Sequence, residues 1–439
     1  MATALSGLRP RLLPGLRISR PLLRGTAPVH LLKAPGSDKL LEIGVKEHFV
    51  IARLDGTRSL QEIGEQYAQH YGVRLGQTHW RQLLHLLHAR GLLERASPPD
   101  AGAGRCASAP PGAAPSLLSG RIRLVADAPA LLERLHRATG FARRPWFLVL
   151  LSALVAALLG AIGAELGPLR EQSAQLLHEP VALLAVGSLL WVSLALHELA
   201  HGLAAQAYGG HTTEIGLRWR LPITYLYCQV EGLQFFARRR QQIATAAAGA
   251  FMNLVLLLPC YPVWALLPDH AQARPFLAAL LLLGSATALA NLVPLPPLDG
   301  YKILGHAAGC LQLATDSRRF AALAAKAVRR RDNSALHAYP VRLRLLYGGY
   351  ALGCAALAAA ALAACGLLAT HLLPGRYAFA ALWSPTVAAA AALVLRAAGR
   401  RLRTHRRPST PRAEEPPAPA PAPAPAHHKR EHSEVRRAS

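Results

Sequence analysis

The sequence has no C-x-x-C pair and no regular cysteine spacing; its six cysteines, Cys106, Cys228, Cys260, Cys310, Cys354 and Cys365, are scattered. That pattern supports neither a disulfide framework nor a thiolate metal site, and leaves the thiols as small apolar fillers. Acid is also scarce, with 24 Asp and Glu against 49 Lys and Arg and a formal net charge of +25. The basic stretch of residues 1–25 has no continuous apolar run, so it does not read as a secretory signal. It shares only an Arg-rich, acid-poor composition with transit peptides.

Apolar residues are abundant: they make up 52% of the chain and concentrate between Pro145 and Gly399. Runs near 146–165, 181–207, 243–266, 275–294, 345–371 and 378–396 each approach the roughly 20 residues that cross a bilayer. The expected class is an α-helical polytopic membrane protein of about six transmembrane helices. The loops after the first, third and fifth spans carry one basic residue each, Arg170, Arg274 and Arg376. Those after the second and fourth hold Arg218, Arg220, Arg238, Arg239 and Arg240, then Arg318, Arg319, Lys326, Arg329, Arg330 and Arg331. This asymmetry predicts a multi-pass protein of the cell membrane with both termini cytoplasmic. It also accounts for much of the net charge without a nucleic-acid partner.

Ahead of the membrane region, residues 27–95 predict a small α+β domain. Val29 to Leu32 and Leu40 to Ile43 flank the turn-rich Pro35-Gly36-Ser37-Asp38, as in a β-hairpin. Three helices follow: one near 45–54, one after the capping stretch Thr57-Arg58-Ser59, and one over 78–93. A hairpin with three helices is a winged-helix-like arrangement, preceded by the basic segment 1–26. Residues 96–144 read as an Ala/Gly/Pro/Ser-rich linker followed by a basic juxtamembrane approach, and 145–399 as the membrane domain. The tail 400–439, with its Pro-Ala run, is expected to be disordered and solvated, its basic clusters facing anionic lipid headgroups.

Within the second span lies Leu196-His197-Glu198-Leu199-Ala200-His201, an H-E-x-x-H motif. Two histidines four residues apart share one helix face and can point both imidazoles at one metal ion. Ionisable groups are costly in hydrocarbon, so three within five residues of a membrane helix must face an interior cavity and serve a function. A catalytic zinc site needs a third protein ligand and an open position. Asp299, at the end of the fourth span in Asn291-Leu292-Val293-Pro294-Leu295-Pro296-Pro297-Leu298-Asp299-Gly300, is the best candidate, because the second and fourth spans run the same way. A simple Asp-Gly turn is the competing reading. Two imidazoles and a carboxylate favour Zn2+ over harder cations.

These residues resemble the site-2 protease class of intramembrane zinc metalloproteases, which pairs H-E-x-x-H with an Asn-x-x-Pro-x-x-x-Leu-Asp-Gly segment on a later helix. The resemblance covers about residues 180–305. It implies His197, His201 and Asp299 as metal ligands and Glu198 as the catalytic acid-base. It also implies that Asn253, in Gly249-Ala250-Phe251-Met252-Asn253, touches substrate or oxyanion; helix packing is the alternative. Gly300 is followed by Tyr301-Lys302 rather than a second glycine, which looks more like the branch associated with bacterial peptide maturation and export. The N-terminal domain resembles the PqqD-like leader-recognition elements of ribosomally made, modified peptides, through the hairpin, Leu54-Asp55-Gly56-Thr57 and Gly91-Leu92-Leu93. That implies capture of a precursor leader peptide by strand addition. DNA binding, which a winged helix can also support, is the competing use.

The expected function is therefore a zinc metalloendopeptidase that removes a leader peptide. One alternative is regulated intramembrane proteolysis of a membrane-anchored signalling protein; the other is a non-catalytic leader-binding scaffold or immunity protein. Residues 223–236, rich in Tyr and Phe, can present substrate as a hairpin or form an interfacial aromatic belt. His85, His88, His211, His306 and His337 have no constellation around them.

Overall fold

The structure is a computed structural model and describes residues 7–37, 40–94, 119–125, 127–220 and 223–372. By internal contacts the chain divides into two units, 1–354 and 355–439. All that follows concerns the first, except for the C-terminal part of the last helix.

Four short strands open the fold: β1 (Arg17–Ile18), β2 (Leu22–Arg24), β3 (Ala27–Lys33) and β4 (Leu40–Gly44). The first two pair antiparallel with one side of β3, and β4 pairs with the other, aligning His30 with Ile43 and Leu32 with Leu41. The segment read as a basic extension before residue 27 thus supplies two strands of this sheet. Periodicity could not reveal strands of two and three residues, which exist only because β3 offers them an edge. Helices α1 (Val45–Ile51), α2 (Leu60–Tyr71) and α3 (Gln77–Ala89) follow. The start of α2 is fixed locally: the Ser59 hydroxyl accepts from Glu62 N–H while the Glu62 carboxylate accepts from Ser59 N–H, a capping box. Ahead of it, Asp55 Oδ1 accepts from Thr57 N–H at 2.8 Å and the Thr57 hydroxyl at 2.6 Å. Bonds to the ionised form hold the Asp55 carboxyl down at about 2. Leu32, Ile51, Leu54, Ile63, Trp80 and Leu87 form the core beneath the sheet.

The remainder comprises β5 (Ser119–Val125), α4 (Ala128–Ala138), α5 (Pro145–Ala164), α6 (Leu166–Gln175), α7 (Pro180–Ala207), β6 (His211–Arg220), β7 (Ile223–Glu231), α8 (Arg239–Leu257), α9 (Cys260–Leu266), α10 (Ala273–Asn291), α11 (Asp299–Ala308), α12 (Leu313–Arg330), α13 (Ser334–His337) and α14 (Val341–Leu372). Proline at the first helical position, where no N–H partner is needed, starts both α5 and α7.

Five helical stretches are long and apolar enough to cross a membrane: Pro145–Ala164, Pro180–Ala207, Arg239–Leu266, Ala273–Asn291 and Val341–Leu367. They match the first five expected spans; the sixth, 378–396, lies outside the described residues, as do 96–118 of the linker and the tail 400–439. The stretch expected to be only a basic approach to the membrane is instead structured: β5 joins β6 and β7 in an antiparallel sheet ordered β5-β6-β7, and α4 follows it. The stretch 223–236, expected to form a hairpin by itself, supplies one strand, β7, whose partner β6 lies before it at 211–220, with 233–235 in a short 3-10 turn beyond.

The N-terminal sheet is docked on this helical body. Leu23 N–H donates to Gly309 C=O at 2.7 Å and Leu311 N–H to Leu23 C=O at 2.9 Å. Gly25 N–H donates to Asp316 Oδ2 at 3.0 Å, the Tyr347 hydroxyl to Gly25 C=O at 2.7 Å, and Lys33 pairs with Glu231 at 2.5 Å.

Candidate metal centre

Three elements bring the site together. In α7, His197 lies ten residues before the helix end, about 15 Å along the axis. That puts both histidines toward the end carrying the Arg-rich loops. Helix α8 passes so close that a Cβ on Gly249 would strike the His197 imidazole. This close approach explains the glycine. Asp299 is the first residue of α11, following the loop of residues 292–298. A Cβ on Gly300 would run into the backbone of Leu292 and Val293, so the glycine lets the start of α11 tuck beneath that turn. Asp-Gly here opens a helix at a tight backbone contact and is not a free turn.

His197 Nε2 lies 2.8 Å from Asp299 Oδ2, His201 Nε2 lies 3.1 Å from the same oxygen, and the two imidazole nitrogens are 3.2 Å apart. All three side chains are buried. His201 Nδ1 sits 2.7 Å from the Thr245 carbonyl, which can only accept, so Nδ1 carries the hydrogen. In the neutral ring Nε2 is then a bare lone pair aimed at a carboxylate oxygen and a second imidazole nitrogen. Acceptors do not converge without a cation or protons between them, and this donor set fits a metal ion. Among the described residues it is the one cluster of three His, Cys, Asp or Glu able to hold one. Lys302 Nζ donates to the other carboxylate oxygen, Asp299 Oδ1, at 2.8 Å and so leaves Oδ2 as the single inward-facing lone-pair atom. His201 has the outer hydrogen bond expected of a metal-ligating histidine, whereas His197 Nδ1 is buried without a partner.

Glu198, adjacent in sequence but not part of this triangle, has Oε2 accepting from Cys228 N–H of β7 at 3.3 Å. It faces a cavity of about 340 Å³ whose polar lining includes His201, Gln234, Tyr301, Lys302 and His306. Burial, together with the Lys302 charge, lowers the His306 pKa, so at neutral pH its ring is uncharged. Burial pushes the Cys228 thiol up to about 11. Asn253 is buried one turn beyond Gly249, and its Oδ1 accepts from the Ser193 hydroxyl at 3.0 Å. It is not among the residues lining the cavity, and in this arrangement it braces α8 against α7.

His85, His88, His211 and His337 are exposed and outside the site. His306 had no constellation in the sequence, yet it lines the cavity. The available signal was helical spacing, since Asp299, Lys302 and His306 recur at three and four residues on α11. No family model, no curated protein and no solved structure matches the chain.

Proposed function

We propose that the chain is an intramembrane zinc metalloprotease of the site-2 protease type, in the cell membrane of a bacterium with both termini cytoplasmic. It removes the leader from a ribosomally made, modified peptide. The observation that carries the reading is the meeting of three lone-pair atoms from His197, His201 and Asp299, next to a cavity that His201 lines together with Glu198. Their separations of 2.8–3.2 Å are close to the roughly 3.3 Å between two ligands of a tetrahedral zinc. A zinc ion held there supplies a Lewis acid for the peptide carbonyl and lowers the pKa of a bound water.

The remaining work falls to the chain. Glu198 is free of the ligand triangle, takes the proton from water as general base and returns it to the leaving amine. Among the described residues β7 pairs only with β6, and its Cys228 N–H points to Glu198. An extended peptide added along that edge gains backbone hydrogen bonds and passes the carboxylate. The PqqD-like N-terminal domain holds the leader and, through Lys33–Glu231 and Leu23–Gly309, sits against the ends of β7 and α11. Leader capture therefore raises the substrate's local concentration at the cavity.

The test measures metal content and cleavage for wild type and Glu198→Gln, with precursor peptides bearing and lacking the leader. We expect near-stoichiometric zinc in both proteins and efficient cleavage by wild type, faster for leader-bearing peptide. The variant should be slower by about 10²- to 10⁴-fold. Zinc with no cleavage of either peptide would move the protein to another substrate class, and absence of metal would end the enzyme reading.

A further inference from the structure

A second cavity, of about 470 Å³, lies between α5, α7 and α8 on the side of α7 away from β7. Its walls are Leu148 and Leu151 of α5, Leu203 and Ala204 of α7, and Phe251 and Val255 of α8. Its mouth is formed by His136 and Arg143, just before α5 enters the membrane-spanning stretch. Arg143 donates to the His136 ring, a neutral acceptor. Among the described residues neither Arg143 nor the adjacent, exposed Arg144 has a carboxylate within ion-pair distance. Among the described residues the mouth is thus cationic and lacks an anion, while the depth is lined mainly by apolar side chains and lies between the membrane-spanning stretches.

We propose that this crevice binds one phospholipid with an anionic headgroup, an acyl chain between α5 and the α7–α8 pair and its phosphate at Arg143. Water is a poor occupant, because Leu148, Leu151, Leu203, Phe251 and Val255 offer it no hydrogen bonds and the Ser152 and Thr139 hydroxyls already donate to the Leu148 and Leu135 carbonyls. A transmembrane helix is too thick: at about 10 Å diameter and 5.4 Å per turn, the space holds roughly one turn. An acyl chain fits such a slot. The phosphate supplies the charge that the mouth lacks, with the exposed Arg144 next to Arg143 in the chain. Ala200 and Ala248 line the crevice next to His201 and Gly249, so a bound chain presses on the helices that set the metal ligands from their far side. The site stands apart from the protease reading and does not depend on it.

Native mass spectrometry of the full chain, in mixed nanodiscs of phosphatidylglycerol and phosphatidylcholine with matched acyl chains, tests it. Wild type should retain one phosphatidylglycerol at several-fold higher occupancy than phosphatidylcholine. The exposed change Arg143→Gln should abolish that preference and still leave lipid in the slot; Ala204→Phe, filling it, should remove retention of both. Equal retention of the two lipids by wild type would overturn the proposal, as would an unchanged phosphatidylglycerol signal in both variants. Retention of no lipid at all by wild type would overturn it as well.

Discussion

The N-terminal sheet domain and the helical body both bury apolar clusters, but they differ in what they expose and in the polar groups they enclose. In the first, the interior is Leu32, Ile51, Leu54, Ile63 and Leu87, and the charged residues are outside, as burial from water requires. In the second, large apolar side chains such as Val149, Leu184 and Leu352 face outward, while His197, His201, Asn253 and Asp299 are among the most enclosed groups. Stability in the first region comes chiefly from removing apolar area from water. In the second a lipid surround makes the outer apolar faces neutral, and the interior is free to hold polar chemistry.

Substitutions should separate the two regions. Leu87→Ala, in the fully buried core of the soluble domain, is expected to cost about 2–5 kcal/mol in a denaturant titration followed by a probe in residues 27–94. Metal content at room temperature should stay unchanged. A variant that lost its metal as readily as its fold would break the contrast. In the helical body, Lys302→Met removes a half-exposed ammonium from Asp299 Oδ1 without opening a cavity. Competition with a chelator should show metal affinity lower by about 10- to 100-fold, with Lys302→Arg restoring most of it. A drop in thermal midpoint comparable to that of Leu87→Ala, with affinity intact, would assign Lys302 to structure.

Smaller effects sharpen the same line. Ser59→Ala removes half of the capping box of α2 and should lower the stability of the N-terminal domain by about 1 kcal/mol, with the metal centre unaffected. The pH response should be smaller still. The Asp55 pKa is depressed in the fold to about 2 from an ordinary 3.8, so its contribution is fully present above the unfolded value and lost as acid passes from about 4 to 2. Asp55→Asn should flatten the acid limb of the stability profile over that window; an unchanged limb would place the acid sensitivity elsewhere.

Much of the chemistry was readable from local spacing. His197 and His201 are four residues apart on a helix wherever that helix is placed, and Ser59 to Glu62 marks a helix start before any tertiary contact forms. The first five apolar runs were readable for the same reason, since length and hydropathy are properties of one segment. Strands β1 and β2 were not, being too short for a period and dependent on β3 for partners. Nor was the joining of β5, before the first span, to β6 and β7, after the second. Lys302 and His306 carried a helical spacing, but only the placement of α11 beside the cavity gives that spacing a use.

The sequence by itself determined that metal-binding residue types would share one face of an apolar helix, because a 3.6-residue period and a run of hydrocarbon side chains are local facts. Only the tertiary structure decided three further things. It brought Asp299, 98 residues from His201, to 3.1 Å from that ring. It turned Glu198 toward the edge of β7 and set the N-terminal sheet against the segment following α11. The first of these rests on Gly249, where a Cβ would strike the His197 imidazole, and on Gly300, where one would strike the backbone of Leu292 and Val293; no periodicity along the chain encodes which distant segments will meet.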